Sequence, residues 1–105
     1  MANHSTKRDQ NQAAIVAALF AAGCSVQDLH AVGGGCPDLL VGRWTPEGKR
    51  CYALEVKGRK NKAGAPMMLT PDQVAWHATW RGQVAIVTTP EEALAAVGIL
   101  PPFGE

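Results

Sequence analysis

At 105 residues the chain has room for one small domain around one hydrophobic core. Hydrophobic residues at 47%, charged residues at 18% and a net charge of +1 describe an ordinary globular protein, which excludes a chain disordered throughout and confines expected disorder to the ends. No apolar run approaches the ~20 residues that span a bilayer, and the polar start Asn3-His4-Ser5-Thr6-Lys7-Arg8 lacks a following signal-peptide core, so a cytoplasmic protein without a membrane partner is expected.

In chain order, the first periodic segment runs from about Asp9 to Ala22. Ile15, Val16, Leu19 and Phe20 recur at helical spacing among alanines, Asp9 with Gln12 or Thr6 with Asp9 offers a start, and Gly23 a stop. Ser25 to Ala31 reads as a strand. Gly33-Gly34-Gly35 follows, and two readings stay open there: backbone free to approach a phosphate, or a tight connection into the next strand. Pro37-Asp38-Leu39-Leu40-Val41-Gly42 and Tyr52-Ala53-Leu54-Glu55-Val56-Lys57 each read as a strand, and Trp44-Thr45-Pro46-Glu47-Gly48-Lys49 between them carries turn residues, so the pair is expected to form an antiparallel hairpin. Gly58 to Pro66 is a basic, glycine-containing loop. Thr70-Pro71-Asp72-Gln73 then opens a helix with threonine as N-cap, proline at the first position and glutamine at N3, and Arg81-Gly82 closes it. Gln83 to Thr88 reads as a buried strand; Thr89-Pro90-Glu91-Glu92 opens a last helix to Val97, stopped by Gly98 and Pro101-Pro102. The order α-β-β-β-α-β-α predicts an α/β sheet with helices packed on it, in one domain over 1–105 whose core spans about 8–98.

The chemistry gathers on the hairpin. Side chains alternate along a strand, so Glu55 and Lys57 share a face while Val56 turns into the core, and antiparallel pairing makes Asp38 a neighbour of Glu55. Carboxylates within apolar strands are costly to bury unless compensated. The residues alone leave two compensations open: a divalent cation, or an ion pair between Lys57 and one acid. Held by Asp38, Glu55 and the Val56 backbone carbonyl, Mg²⁺ would keep several waters, and Lys57 would orient or help deprotonate an attacking water.

Charge is unevenly placed. Between residues 43 and 62 seven Lys or Arg (Arg43, Lys49, Arg50, Lys57, Arg59, Lys60, Lys62) face two glutamates, either the footprint of a phosphate-backbone binder or a solvated loop. Cys24, Cys36 and Cys51 have no Cys-x-x-Cys spacing and are expected as buried free thiols; a metal site from His30, Cys36 and Cys24 has no spacing rule behind it. His30 and His77 are expected to be structural. Trp44, Trp76 and Trp80 are a large aromatic load for so small a domain, to be spent in the core or in a subunit interface.

The glycine-rich turn, Pro37-Asp38, the hairpin and Glu55-Val56-Lys57 resemble the PD-(D/E)XK nuclease superfamily. More narrowly, Gly34-Gly35-Cys36-Pro37-Asp38-Leu39-Leu40, Leu54-Glu55-Val56-Lys57 and Leu69-Thr70-Pro71-Asp72-Gln73-Val74-Ala75-Trp76 resemble the small stand-alone VRR-NUC members carried by phages and prophages. That resemblance implies a restriction-endonuclease-like core, a central mixed sheet flanked by helices, and a Mg²⁺- or Mn²⁺-dependent DNA endonuclease in a bacterial or phage-infected cell. It implies that Asp38 and Glu55 bind metal, that Lys57 is catalytic, and that Gln73 supports the site, although a capping role alone would also account for Gln73. Gly34, Gly35, Arg59, Lys60 and Lys62 would meet the DNA. The resemblance further implies a homodimer that acts on branched substrates such as Holliday junctions. One departure stands out: the family often supplies a glutamate from the first helix, where this chain has Asp9, Gln10, Gln12 and Ala14. An inactive branched-DNA-binding module and a structural dimer with incidental carboxylates are the competing expectations.

Overall fold

The computed structural model describes residues 7–58 and 69–99, with side chains from residue 10 onward. Its elements follow the expected order: α1 (Lys7–Ala21), β1 (Ser25–Asp28), β2 (Leu39–Thr45), β3 (Gly48–Val56), α2 (Pro71–Thr79), β4 (Ala85–Val87) and α3 (Pro90–Ala96), with one 3₁₀ turn, His30–Val32. The strands make one mixed sheet in the order β1-β2-β3-β4. β1 and β3 run antiparallel to β2, and β4 runs parallel to β3.

The β2–β3 hairpin is longer than the two strings suggested. Trp44 and Lys49 pair within the ladder, and Thr45 faces Gly48 across a turn of Pro46 and Glu47. Thr45 fixes that turn: its Oγ1 donates to the Gly48 carbonyl at 2.8 Å and accepts the Glu47 N–H at 3.1 Å. β1, in contrast, stops at Asp28, short of the expected Ala31. The Asp28 carboxylate takes the His30 N–H at 2.7 Å, an Asx-type turn that leads the chain into the 3₁₀ segment.

One face of the sheet carries the core. Leu39, Val41, Leu54, Val56 and Val87 are buried against Ile15 and Leu19 of α1 and Ala93 and Val97 around the end of α3. The helical spacing of Ile15 and Leu19 explains their inward turn, while Phe20, expected on the same stripe, stands 57% exposed on the outer side. β4 is an edge strand, so only Val87 is fully buried and Ile86 lies on the open side, which corrects the expectation of a strand buried throughout.

α2 contributes no buried residue. Trp76 and Trp80, for which a place in the core was one reading, instead stack on each other with ring centroids 4.6 Å apart at 21°, outside the core. The Trp80 indole N–H donates to the Gln83 carbonyl at 3.0 Å. α2 therefore reaches the sheet on the face opposite α1 and α3, and does so through polar side chains and backbone.

Candidate active site

Register places the two acids together. Leu39 pairs with Leu54, so Asp38, immediately before β2, stands opposite Glu55. Both point away from the core, as does Lys57, because Leu54 and Val56 take the inward positions. Glu55 is fully buried, and Asp38 and Lys57 are each only 9% exposed.

Asp38 is anchored twice. Its Oδ2 accepts the Val56 N–H at 2.8 Å, and its backbone carbonyl accepts the Leu29 N–H at 2.8 Å. The acid is thus tied to the β3 backbone beside Glu55 and to the end of β1.

Gln73 joins the remaining two groups. Its Nε2 donates to Glu55 Oε2 at 2.9 Å, and its Oε1 accepts from Lys57 Nζ at 2.6 Å. The same Oε1 accepts the Thr70 N–H at 2.9 Å, while Thr70 Oγ1 accepts the Gln73 N–H at 3.2 Å, a complete capping box. One amide thus completes the capping box and bonds both Glu55 and Lys57. Glu55 and Lys57, two residues apart on one face, have Cα atoms roughly 7 Å apart and long side chains that would close into a direct ion pair. The amide stands between them. It satisfies each with a charge-assisted hydrogen bond and holds them at fixed positions.

Gly35 explains how α2 comes so close. A Cβ at this residue would lie 2.2 Å from the Asp72 carbonyl oxygen and 2.9 Å from the Gln73 backbone nitrogen, and its φ is +84°. Of the two readings of the glycine run, Gly35 fits the tight connection: its missing side chain admits the first turn of α2. Gly33 and Gly34 also have positive φ, and added Cβ atoms there would meet open space.

A cleft of about 320 Å³ opens over the four polar side chains. His30, Cys36 and Asp72 also line it, and none of these was singled out for the site by its sequence context. His30 is exposed on the wall rather than set into structure. Burial, with the nearby Glu55 and Asp38 carboxylates adding to it, pushes the Cys36 thiol pKa up. Of the three thiols expected to be buried, only Cys24 is; Cys36 is half-buried on the cleft wall and Cys51 is exposed on the hairpin.

Behind the cleft, Asn11 of α1 is buried and was missed by the sequence reading. Its Nδ2 donates to the Lys57 carbonyl at 2.9 Å and to the Thr88 carbonyl, tying α1 to the ends of β3 and β4. Nothing in a helix rich in Gln and Ala distinguishes this Asn from its solvent-facing neighbours. Of the proposed DNA contacts, Arg59, Lys60 and Lys62 lie outside the described residues, as does the Asp9 side chain.

The donor set fits a hard cation. Asp38 and Glu55 offer carboxylate oxygens side by side, and oxygen donors suit Mg²⁺ or Mn²⁺. No cluster of three or more His, Cys, Asp or Glu is present among the described residues, so remaining positions would fall to backbone oxygen and water. No described helix is long and apolar enough to cross a membrane.

No family model and no curated protein matches the chain. A solved structure described as a VRR_NUC domain does, at 26% sequence identity and a TM-score of 0.64, over 88% of this chain and 95% of that one. The family resemblance carried by the Pro37-Asp38, Glu55-Val56-Lys57 and Gln73 motifs thus extends to the three-dimensional arrangement, and the chain has the fold of a VRR-NUC domain, a nuclease-type module of the PD-(D/E)XK superfamily.

Proposed function

We propose that the chain, acting as one nuclease domain, is a divalent-metal-dependent DNA endonuclease that hydrolyses phosphodiester bonds and selects branched DNA, as a homodimer in the cytoplasm of a bacterial or phage-infected cell. The observation that carries this reading is the network of Asp38, Glu55, Lys57 and Gln73, four polar side chains brought to one cleft and fixed there by hydrogen bonds.

Asp38, Glu55 and the Val56 carbonyl would hold Mg²⁺ or Mn²⁺, which when bound neutralises phosphoryl charge and acidifies a coordinated water. Asp38 and Glu55 bring negative charge to the point where the cation is needed, and the Val56 N–H keeps Asp38 from turning away. Lys57 spends one of its three ammonium hydrogens on Gln73. Two remain to orient the attacking water and to stabilise charge on the phosphoryl oxygens in the transition state. Gln73 positions Lys57 and Glu55 and prevents their collapse into an ion pair. Arg59, Lys60 and Lys62 would follow adjacent phosphates, with Gly34, where an added Cβ would meet open space, allowing close backbone approach.

The test is cleavage of a labelled four-way junction beside flap, splayed and linear DNA with Mg²⁺ or Mn²⁺. The junction is expected to be cut best, and Asp38→Asn or Lys57→Ala to abolish cutting; persistent cleavage by both variants would sink the assignment. A second readout needs no turnover. Mg²⁺ at a hundred times its dissociation constant stabilises a folded protein by about 2.7 kcal/mol, so wild type should melt higher with the ion and Asp38→Asn should lose that shift.

One observation favours a catalytically impaired DNA-binding module instead. Among the described side chains α1 brings Asn11 to the back of the site and no acid, where related nucleases often place a first-helix glutamate; the Asp9 side chain lies outside the described residues. Junction binding without cleavage in either metal would select this reading.

A further inference from the structure

The side chains that share the open face of the sheet with Asp38 and Glu55 continue to the far end of the hairpin. Alternation along β2 and β3 puts Leu40, Gly42 and Trp44 on the face of Asp38, and Ala53, Cys51 and Lys49 on the face of Glu55. Gly42, Cys51 and the neighbouring Ser25 of β1 are small, and together with Trp44, Lys49 and Arg50 they line a second cleft of about 280 Å³. Small side chains leave this cleft open beside the hairpin tip, and the Leu40–Ala53 pair lies between it and the acids.

The tip is built unlike a solvated turn. Trp44 is 71% exposed, and the Lys49 ammonium lies 5.0 Å from its ring centroid. Arg43 and Arg50 face each other directly across the ladder, a like-charge pairing that weakens a hairpin. Arg43 is compensated by the Val97 carbonyl at the end of α3, at 3.0 Å. Arg50 donates only to the Lys49 carbonyl, and among the described residues neither Lys49 nor Arg50 meets a carboxylate. Glu47, the one acid of the turn, has its carboxylate 3.4 Å from Thr45 Oγ1, whose proton goes to the Gly48 carbonyl. Arg50 shares the face of Arg43, whereas the exposed Trp44 indole with the Lys49 ammonium on its ring stands on the face of the acids and complements a polyanion with flat apolar sugars and bases.

We propose that the hairpin tip is a second DNA contact, in which Lys49 pairs with a phosphate and Trp44 packs on the adjoining deoxyribose, while the nucleic acid lies along the open face of the sheet from the cleaved phosphate. Six residues of β3 separate Glu55 from Lys49, about 20 Å at the strand rise. At 3.4 Å per step of one strand that is about six base pairs. The inference rests on the nuclease reading only for where the cleaved phosphate sits.

The test separates the two. Anisotropy of labelled duplex DNA with the full chain in EDTA reads binding without chemistry. Trp44→Ala and Lys49→Gln should each weaken binding roughly tenfold, and Lys49→Gln should lower the slope of log affinity against log salt by about one. Phe20→Ala, at another exposed aromatic on the outer side of α1, should change neither. In cleavage, wild type should prefer DNA that extends ten base pairs from the cut phosphate over DNA that extends three, and both tip variants should lose that preference. Unchanged affinity and salt slope in both variants, with melting temperatures intact, would overturn the proposal even if cleavage is robust. Binding that depends on Trp44 and Lys49 in a chain that never cuts would support it and remove the nuclease reading. A change from dimer to monomer in the tip variants by sedimentation, with DNA affinity per subunit retained, would overturn it in favour of an interface between two copies.

Discussion

The two faces of the sheet are held by different forces. Leu39, Val41, Leu54, Val56 and Val87 meet α1 and α3 through apolar contact that excludes water, and many neighbours share the load. On the opposite face α2 brings no buried residue, and its place depends on the amide of Gln73, the cap at Thr70 and the backbone approach at Gly35. Non-directional packing tolerates error and supplies most of the stability. Hydrogen bonds between polar groups add about 1 kcal/mol each but fix atoms in place. Stability is thus concentrated on one face and geometry on the other.

That division is open to attack from both sides. The largest expected effect is on the apolar face: Leu54→Ala should cost about 2–5 kcal/mol in denaturant unfolding, with activity falling only as folded protein is lost. Next comes Gly35→Ala, which forces a Cβ into the Asp72 carbonyl at a left-handed φ. Displacing the start of α2 should remove cleavage almost completely while unfolding free energy falls by ~1–3 kcal/mol. Retained cleavage in that variant would show that α2 is not held by this contact. The smallest stability effect belongs to Thr70→Ala, at about 1 kcal/mol for a lost N-cap, with Thr70→Ser restoring it. Should Thr70→Ala destabilise as much as Leu54→Ala, the faces would not divide the work as described.

Much of this was legible in the sequence where local chemistry and periodicity agree. Pro37-Asp38 and Glu55-Val56-Lys57 read as strands of a hairpin, and opposition of the two acids follows from antiparallel pairing, as the register shows. Thr70-Pro71-Asp72-Gln73 announced its helix because capping is a local matter. The rest depended on tertiary placement. Trp76 and Trp80 have the spacing of a buried stripe, but their helix lies off the core and they stack on each other instead. Asn11 acquires its role only when the Lys57 and Thr88 carbonyls arrive from 46 and 77 residues away. The strand ends at Asp28 and Thr45 were set by side-chain bonds to the backbone that hydrophobic alternation does not record.

The contact between Gly35 and the start of α2 meets main chain with main chain: the nearest atoms to a Cβ at Gly35 are the carbonyl of Asp72 and the nitrogen of Gln73. Such a joint makes no demand on the side chains of the helix it holds. Substitutions at Ala78 and Thr79 can therefore proceed without moving the cleft, provided position 35 stays glycine and position 73 keeps an amide. The outer surface of α2 is in that sense left available for adaptation to new partners, with the chemistry beneath it undisturbed.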